Sequence, residues 1–541
     1  MIKVFEKYPI ASLSILVLLM LLVHLNVPNV TIMEARNFIS AREMIQDNHW
    51  ILTTMNGEPR YQKPPLPTWL TAISGLIFGV NSLFALRLPA ALMVLFLGIF
   101  VYLLSIKLFL PKLQSFNNSL IVVTSFYVIG ILNEAPWDIF AHGFMIAGIY
   151  FLFQFFQNSN KLWINALLAS FFVGLSFLSK GPVSLYALFL PFIISYGIIY
   201  KFKNFKSKTI SFISFIVLFI IIGGWWFVYV RLADADAFLK IATKETGNWN
   251  SYNVKPFYYY WSFFTQSGIW TIPAFISLLY PYLKNRVQNK KVYQFTFLWT
   301  IIAVILLSLI PEKKPRYLMP VLIPLALNTG FYMQYLTRNF AKLKNKKETI
   351  PVYFNFGLIA TIGLLFPIII YFLLKNEIPN FLVSYILTAI SLVLIGFYII
   401  KNLLKKNIQN VFYLTVLFIA AVLIFGLPIS TSLNKNNAFN EINTLHQIEK
   451  TNNITTYSIG EVTPELLWNY NGKIKDIYKN NELKLPKENN FGLLLLNEDV
   501  SDITKKLSKN YQLNLKETFN LNKGSKNKER LIRQLYLVSK K

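Results

Sequence analysis

The sequence predicts a polytopic α-helical membrane protein of about thirteen transmembrane helices, with amphipathic juxtamembrane helices and a small α/β domain after the last span. Three observations predict it. The 541 residues are 54% apolar and 16% aromatic with only 14% charged, outside the soluble globular range. Apolar runs of roughly 20 residues, the length a bilayer crossing needs, recur along the chain. The net charge of +28 is uneven, with lysine-dense clusters in alternate loops.

The first apolar run, Ile10 to Leu25, is as long as a signal-peptide core, but no small-residue cleavage site follows it. It is read as an uncleaved first span. The expected spans are residues 9–26, 84–106, 118–133, 137–156, 162–178, 182–200, 210–231, 260–280, 293–310, 317–337, 352–374, 379–400 and 411–431. The apolar stretch Leu66 to Val80 is too short to cross and is read as interfacial or re-entrant.

Loop charges set the orientation. "YKFKNFKSK" (200–208), "LKNRVQNKK" (283–291), "RNFAKLKNKK" (338–347) and "KNLLKK" (401–406) contain no acid and are assigned to the cytoplasm. The intervening loops, "NEAPWD" (133–138), "LADADAFLKIATKE" (232–245), "PEKKPR" (311–316) and "KNEIP" (375–379), mix both signs. Residues 1–431 then form a transmembrane domain with an external loop at 27–83, and residues 432–541 lie outside the membrane. In that tail 18 Lys and Arg stand against 12 Asp and Glu. Helical stretches (439–451, 502–509) alternate there with strand-like ones (454–460, 491–497, 530–539), as in an α/β domain. The tail has no Gly-rich phosphate loop and no nucleophile elbow, and the chain has no cysteine for disulfides or thiolate metal sites.

Ionisable groups beside spans are costly and mark candidate sites. On the mixed-charge side they are Glu34, Arg36 and Arg42, Lys63, Arg87, Glu134 and Asp138, Lys180, and Lys313, Lys314 and Arg316 next to Tyr317. A cavity lined by several cations and a few carboxylates suits an anionic lipid head group. Structural readings stand beside the functional ones. Thr31-x-x-Glu34 fits a capping box, Asp138 suits the positive end of a helix, and Lys180 and Arg87 fit snorkelling cations. His142 fits a packed histidine, and "YYY" at 258–260 an aromatic belt.

Five segments occur in a fixed order: "MEARNFISAREM" from Met33, "KPPLPTWL" from Lys63 running on to "FGVNSLFALRLP", "FLSKGP" from Phe177, "KPFYYYW" from Lys255 and "KKPRYLMP" from Lys313. Together they resemble the GT-C membrane glycosyltransferases of the protein O-mannosyltransferase and ArnT-like (lipid A aminoarabinose transferase-like) group over roughly residues 1–340. The resemblance implies transfer of a sugar, with inversion, from a polyprenyl-phosphate donor to a lipid, glycan or protein acceptor. It implies a multi-pass protein of the bacterial inner membrane with a periplasmic C-terminal domain, and neither a nucleotide cofactor nor a nucleic-acid partner. It assigns the lipid phosphate to Lys63 and Tyr317, with Arg316 and Lys255 beside them, and the catalytic carboxylate to Glu34 or Asp138. The group usually has Asp-Glu where this chain has Met33-Glu34. The Glu and His linked to a metal in the aminoarabinose branch read here as Gln62 and Asn253, so no metal is expected. Two other classes stay open: a non-catalytic relative or a ligase or polymerase using a pyrophosphate donor, and a lipid-linked sugar transporter.

Overall fold

A computed structural model describes residues 2–134, 136–157, 160–433, 436–479, 482–524 and 528–541, with the side chains of 2–4, 131–134 and 249–250 excluded. Glu134 therefore lies outside the described side chains. The chain divides into two compact units: Met1–Val27 with Tyr61–Ile429, and Pro28–Arg60 with Ser430–Lys541.

The first unit is a polytopic helical membrane protein. Among the described residues, eight helices are long and apolar enough to cross a bilayer: Leu83–Lys107, Pro136–Gln157, Leu162–Lys180, Phe205–Ala233, Lys290–Leu309, Lys346–Leu374, Ile378–Leu404 and Ile408–Ser432. The other expected spans fall on shorter, broken or more polar helices, for local reasons. The first is 14 residues, Pro9–Leu22. Residues 118–133 are split at Thr124 and Ser125, whose hydroxyls donate back to the Leu120 and Ile121 carbonyls. In 182–200 the chain widens to a π-turn at Leu185–Phe189 before the helix Leu190–Tyr200; Pro191 has no N–H to give Ala187. In 260–280 tight 3₁₀ turns precede the short helix Thr271–Ser277, and Gly268 breaks the run at φ +67°. A Cβ there would also meet Phe126 Cβ at 3.0 Å. Met319–Asn339 carries polar residues because it is buried along most of its length, where Thr296 donates to Asn328 at 2.9 Å.

Helices without a hydrophobic drive between them pack through small residues. Gly223 shows this: a Cβ there would lie 2.8 Å from the Gly174 carbonyl, so Leu162–Lys180 and Phe205–Ala233 touch backbone to backbone.

The second unit holds a mixed five-stranded sheet in the order 475–476, 456–458, 490–495, 532–540, 511–520, the first three parallel and the last two pairings antiparallel. The expected strand and helix regions appear at 456–458, 490–495, 532–540, 445–452 and 500–507. Strand 511–520 and helix Pro464–Tyr470 were not expected. Residues Pro28–Arg60 belong to this unit, whereas the sequence reading groups 27–83 with the spans. The helix Ile32–Gln46 packs on Pro464–Tyr470: Phe38 meets Trp468 at 5.3 Å, and Ile39 enters a core with Leu466 and Leu535. Arg42 lies over Trp468 at 5.8 Å and donates to Asn471 at 2.6 Å.

Candidate functional site

In the membrane unit, two segments distant in sequence are laced together. Lys255 donates its N–H to the Pro311 carbonyl at 3.2 Å, Lys313 donates its N–H to the Asn253 carbonyl at 3.1 Å, and Val254 bridges Glu312. Asn253 adopts φ +50°, a left-handed conformation that asparagine tolerates. The Lys313 ammonium is buried and spends itself on the Lys255 and Ile310 carbonyls at 3.0 and 2.6 Å. The sequence reading counted it among the anion-facing cations; the fold uses it to close the lacing. Tyr260 completes the join, donating its hydroxyl to the Lys314 carbonyl at 3.0 Å and accepting the Lys314 N–H at 2.9 Å.

This lacing presents Lys314, Arg316 and Tyr317 from the turn Pro315–Leu318. The Tyr317 hydroxyl donates to Glu312 at 3.3 Å, and the Lys314 ammonium bonds the same carboxylate oxygen. Lys180 reaches the Tyr317 ring at 5.5 Å from the end of its own helix. There it pairs with Asp138, at the start of the neighbouring helix. Lys63, Arg316, Lys314 and Glu312 all lie within electrostatic reach of Lys180. Among the described residues four cations thus share a region with two carboxylates, and that balance favours an added anion. One oxygen of Asp138 is bound to Lys180; the other is buried with no hydrogen-bond partner among the described residues.

The segment bearing Lys63 is anchored by Tyr61, whose hydroxyl donates to Asp234 at 2.8 Å. Asp234 also caps the helix Ala235–Ser251. Burial first, then the bond to Asp234, raises the Tyr61 phenol above its ordinary pKa, so it stays a donor.

The expected residues fall as follows. Lys63, Asp138, Arg316 and Tyr317 converge around Lys180. Lys255 belongs to the lacing by its backbone, with its side chain exposed. Glu34 lies in the second unit, where it is buried and completes the capping box: its carboxylate accepts the Thr31 N–H at 3.0 Å and its own N–H donates to the Thr31 hydroxyl at 3.3 Å. Beside it, the Met33 sulfur accepts from Arg36 at 3.7 Å. Arg87 donates to the Leu25 carbonyl, and His142 pairs with Ser184 at 2.7 Å. Both are buried structural bonds.

Sequence reasoning missed Glu312, which sits inside the quoted "PEKKPRY" but was overshadowed by the cations around it. It also missed the Tyr61–Asp234 anchor and Glu43, which accepts the Thr54 hydroxyl and the Asn56 and Gly57 N–H groups and so shapes the Asn-Gly hairpin.

The positions that the resemblance links to a metal hold two amides, Gln62 and Asn253. Amide oxygens are poorer transition-metal ligands than a carboxylate and an imidazole, so Gln62 and Asn253 do not fit that role.

Residues 62–226 match the family described as dolichyl-phosphate-mannose-protein mannosyltransferase. An uncharacterized protein of Aquifex aeolicus is 26% identical over 367 residues, 63% of this chain and 68% of its own length. The undecaprenyl phosphate-alpha-4-amino-4-deoxy-L-arabinose arabinosyl transferase of Wigglesworthia glossinidia brevipalpis is 26% identical over 331 residues, 59% of this chain. The matched region spans 56% of that transferase, a little over half. The fold is similar to that of ArnT from Cupriavidus metallidurans bound to undecaprenyl phosphate, with a TM-score of 0.67 at 15% identity over 98% of this chain and 97% of that one. Against the apo form of that protein the TM-score is 0.68 at 16% identity, over 99% and 98%. Residues 62–226 thus carry the dolichyl-phosphate-mannose-protein mannosyltransferase signature, and the chain as a whole has the ArnT-like fold of the GT-C group its ordered motifs resemble.

Proposed function

We propose that this chain is a polyprenyl-phosphate-sugar-dependent glycosyltransferase of a bacterial inner membrane. It crosses the bilayer about thirteen times, the shorter helices completing the eight long ones. The unit of Met1–Val27 with Tyr61–Ile429 is the transmembrane catalytic domain, and that of Pro28–Arg60 with Ser430–Lys541 the periplasmic domain. The observation that carries the reading is the cluster of Lys63, Lys180, Lys314 and Arg316 around Tyr317, in a fold similar to that of an ArnT bound to undecaprenyl phosphate.

The acceptor oxygen attacks the anomeric carbon from the face opposite the phosphate. The new C–O bond forms as the sugar–phosphate bond breaks, through an oxocarbenium-like state, and the configuration inverts. Polyprenyl phosphate leaves with its electron pair and its charge and needs no proton. Cations already aimed at it lower the barrier without reorganising. Lys63, Arg316 and Tyr317 hold that phosphate, and Lys255 guides it at the rim. The acceptor hydroxyl's proton passes to a carboxylate. Asp138 suits this role through its second, unpartnered oxygen. Glu34, whose cap bonds engage its carboxylate, is the other candidate.

The test is reconstitution with labelled polyprenyl-phosphate sugar, reading release of polyprenyl phosphate. Lys63→Ala is expected to weaken donor use at least tenfold, on the scale of a lost charge-assisted hydrogen bond of about 1.5–3 kcal/mol. Unchanged transfer in that variant refutes the phosphate role. Transfer that survives Glu34→Gln and fails in Asp138→Asn assigns the base to Asp138; the reverse assigns it to Glu34.

A further inference from the structure

We propose a second anion site, at the opposite end of the helix that carries Asp138, which takes the phosphate of an anionic phospholipid from the lysine-rich leaflet. Asp138 opens the helix Pro136–Gln157 and Gln157 closes it, so the two ends lie about 28 Å apart at 1.5 Å per residue, close to one hydrocarbon thickness. At the Gln157 end a cavity of about 230 Å³ is lined by Gln157, Tyr196, Tyr200, Lys203, Lys208 and Lys291 among others. Among the described residues no acid lines it, and the sequence has none in the flanking segments 196–210 and 283–295.

The site is built rather than merely basic. Lys208 is buried, its ammonium held at 2.8 Å by the Phe155 and Phe156 carbonyls, which fixes a charge in the wall. Lys291 lies 4.5 Å over the Tyr200 ring, which aims its stem along the cavity edge. Tyr196 stacks on Tyr200 at 5.0 Å. Its hydroxyl accepts from Gln157 at 2.9 Å, and among the described residues it donates to no protein acceptor, so its proton is available to a phosphate oxygen. Two separate lysine-rich loops supply the cations, Lys203 and Lys208 from one and Lys291 from the other. A ligand there would tie the Leu190–Tyr200, Phe205–Ala233 and Lys290–Leu309 helices together.

A lipid source is favoured by position. The cavity sits where spans meet the interface, and Ile198 and Ile210 beside it are 55% and 74% exposed, apolar surface for acyl chains. A free phosphate would not use that surface.

The test is native mass spectrometry and thermal unfolding of the full chain in phosphatidylcholine nanodiscs with increasing phosphatidylglycerol. Lys203→Gln and Lys291→Gln change exposed residues and are expected to fold. At about fivefold per lysine near a membrane surface, the double variant is expected to bind phosphatidylglycerol about thirtyfold more weakly. The charge-matched variant Lys342→Gln/Lys344→Gln, on another lysine loop, is expected to bind like the unaltered chain. Inorganic phosphate at equal concentration is expected not to stabilise the protein. Equal retention of phosphatidylglycerol by the double variant overturns the site. An equal loss in the control variant reduces the effect to bulk charge and overturns it as well. Stabilisation by inorganic phosphate equal to that by the lipid overturns the lipid assignment.

Discussion

The pairing of Lys180 with Asp138 makes a prediction whose sign depends on its neighbours. Both are nearly inaccessible, at 9% and 2% side-chain exposure, so removing one partner leaves a charge that water cannot solvate. For an isolated buried pair each single removal costs about 3–5 kcal/mol. Here the costs should differ. Lys180→Met leaves three cations with two carboxylates, relieving repulsion with Lys63, Lys314 and Arg316 while stranding Asp138. Asp138→Asn leaves four cations with Glu312 as their one carboxylate among the described residues. Asp138→Asn should therefore destabilise toward the upper end of that range and Lys180→Met toward the lower. The double variant should cost less than the sum of the two by roughly 1–3 kcal/mol, the coupling of groups in direct contact. Denaturant unfolding in mixed micelles measures all four corners of the cycle. Undecaprenyl phosphate at one fixed concentration, a hundredfold above its dissociation constant for the unaltered chain, stabilises that chain by about 2.7 kcal/mol. If it binds this cluster, its anion replaces the missing carboxylate and Asp138→Asn gains more from it than the unaltered chain does. Additivity of the two substitutions within about 0.5 kcal/mol would refute the pair. An equal response of both proteins to the lipid would refute the anion cluster.

Tyr61→Phe deletes the bond to Asp234 and leaves a carboxylate without that donor; a loss of about 1–3 kcal/mol in unfolding free energy is expected, with a raised donor KM because Lys63 follows two residues later. Gly268→Ala combines a left-handed φ with a Cβ 3.0 Å from Phe126, and should lower the unfolding midpoint by the equivalent of at least about 1 kcal/mol. Glu43→Gln turns a carboxylate that accepts three hydrogen bonds into an amide with one acceptor oxygen, so faster proteolysis of the 54–59 hairpin is expected while the helices keep their circular dichroism.

Much of this architecture was legible because a bilayer imposes simple rules on a sequence. Runs such as Leu83–Lys107 and Lys346–Leu374 announce themselves by length and composition. The misses come where tertiary packing replaces lipid. Met319–Asn339, expected as a span at 317–337, is one continuous helix, and its enclosure by other helices lets it carry Asn328 and Thr329. Thr124, Ser125 and Gly268 break apolar runs through hydroxyl and φ effects that hydropathy does not sense. Strand 511–520 was missed because half of its side chains are exposed and a register shift between Leu515 and Glu517 interrupts its alternation. At the site, residue types pointed to Lys63, Asp138 and Tyr317. Which lysine of "KKPR" faces an anion was not readable: Lys313 and Lys314 are adjacent, yet one closes the backbone lacing and the other joins the cluster. Glu312 was hidden for the same reason, since a lone acid among cations reads as charge balance until its bonds to Lys314 and Tyr317 are seen.

Met33 poses the sharpest chemical question, because the resemblance sets an acid at that position. On the proposed reading the reaction tolerates the change. A phosphate ester leaves as a stabilised anion, so no general acid is required and the electrostatic share of the barrier falls to Lys63, Arg316 and their neighbours. What remains for a carboxylate is the acceptor's proton, and general-base assistance contributes typically 10²–10⁴-fold. The Lys180 ammonium engages one oxygen of Asp138 and leaves the other facing no hydrogen-bond partner among the described residues. A phosphate or phosphorylated sugar is already ionised near neutral pH and can attack without that base, whereas a plain alcohol depends on it. Comparing transfer rates to a phosphorylated acceptor and to its dephosphorylated analogue measures this directly. A preference for the phosphorylated form that vanishes in Met33→Asp would tie acceptor choice to the missing acid, and equal rates for the two acceptors in the unaltered chain would refute the link.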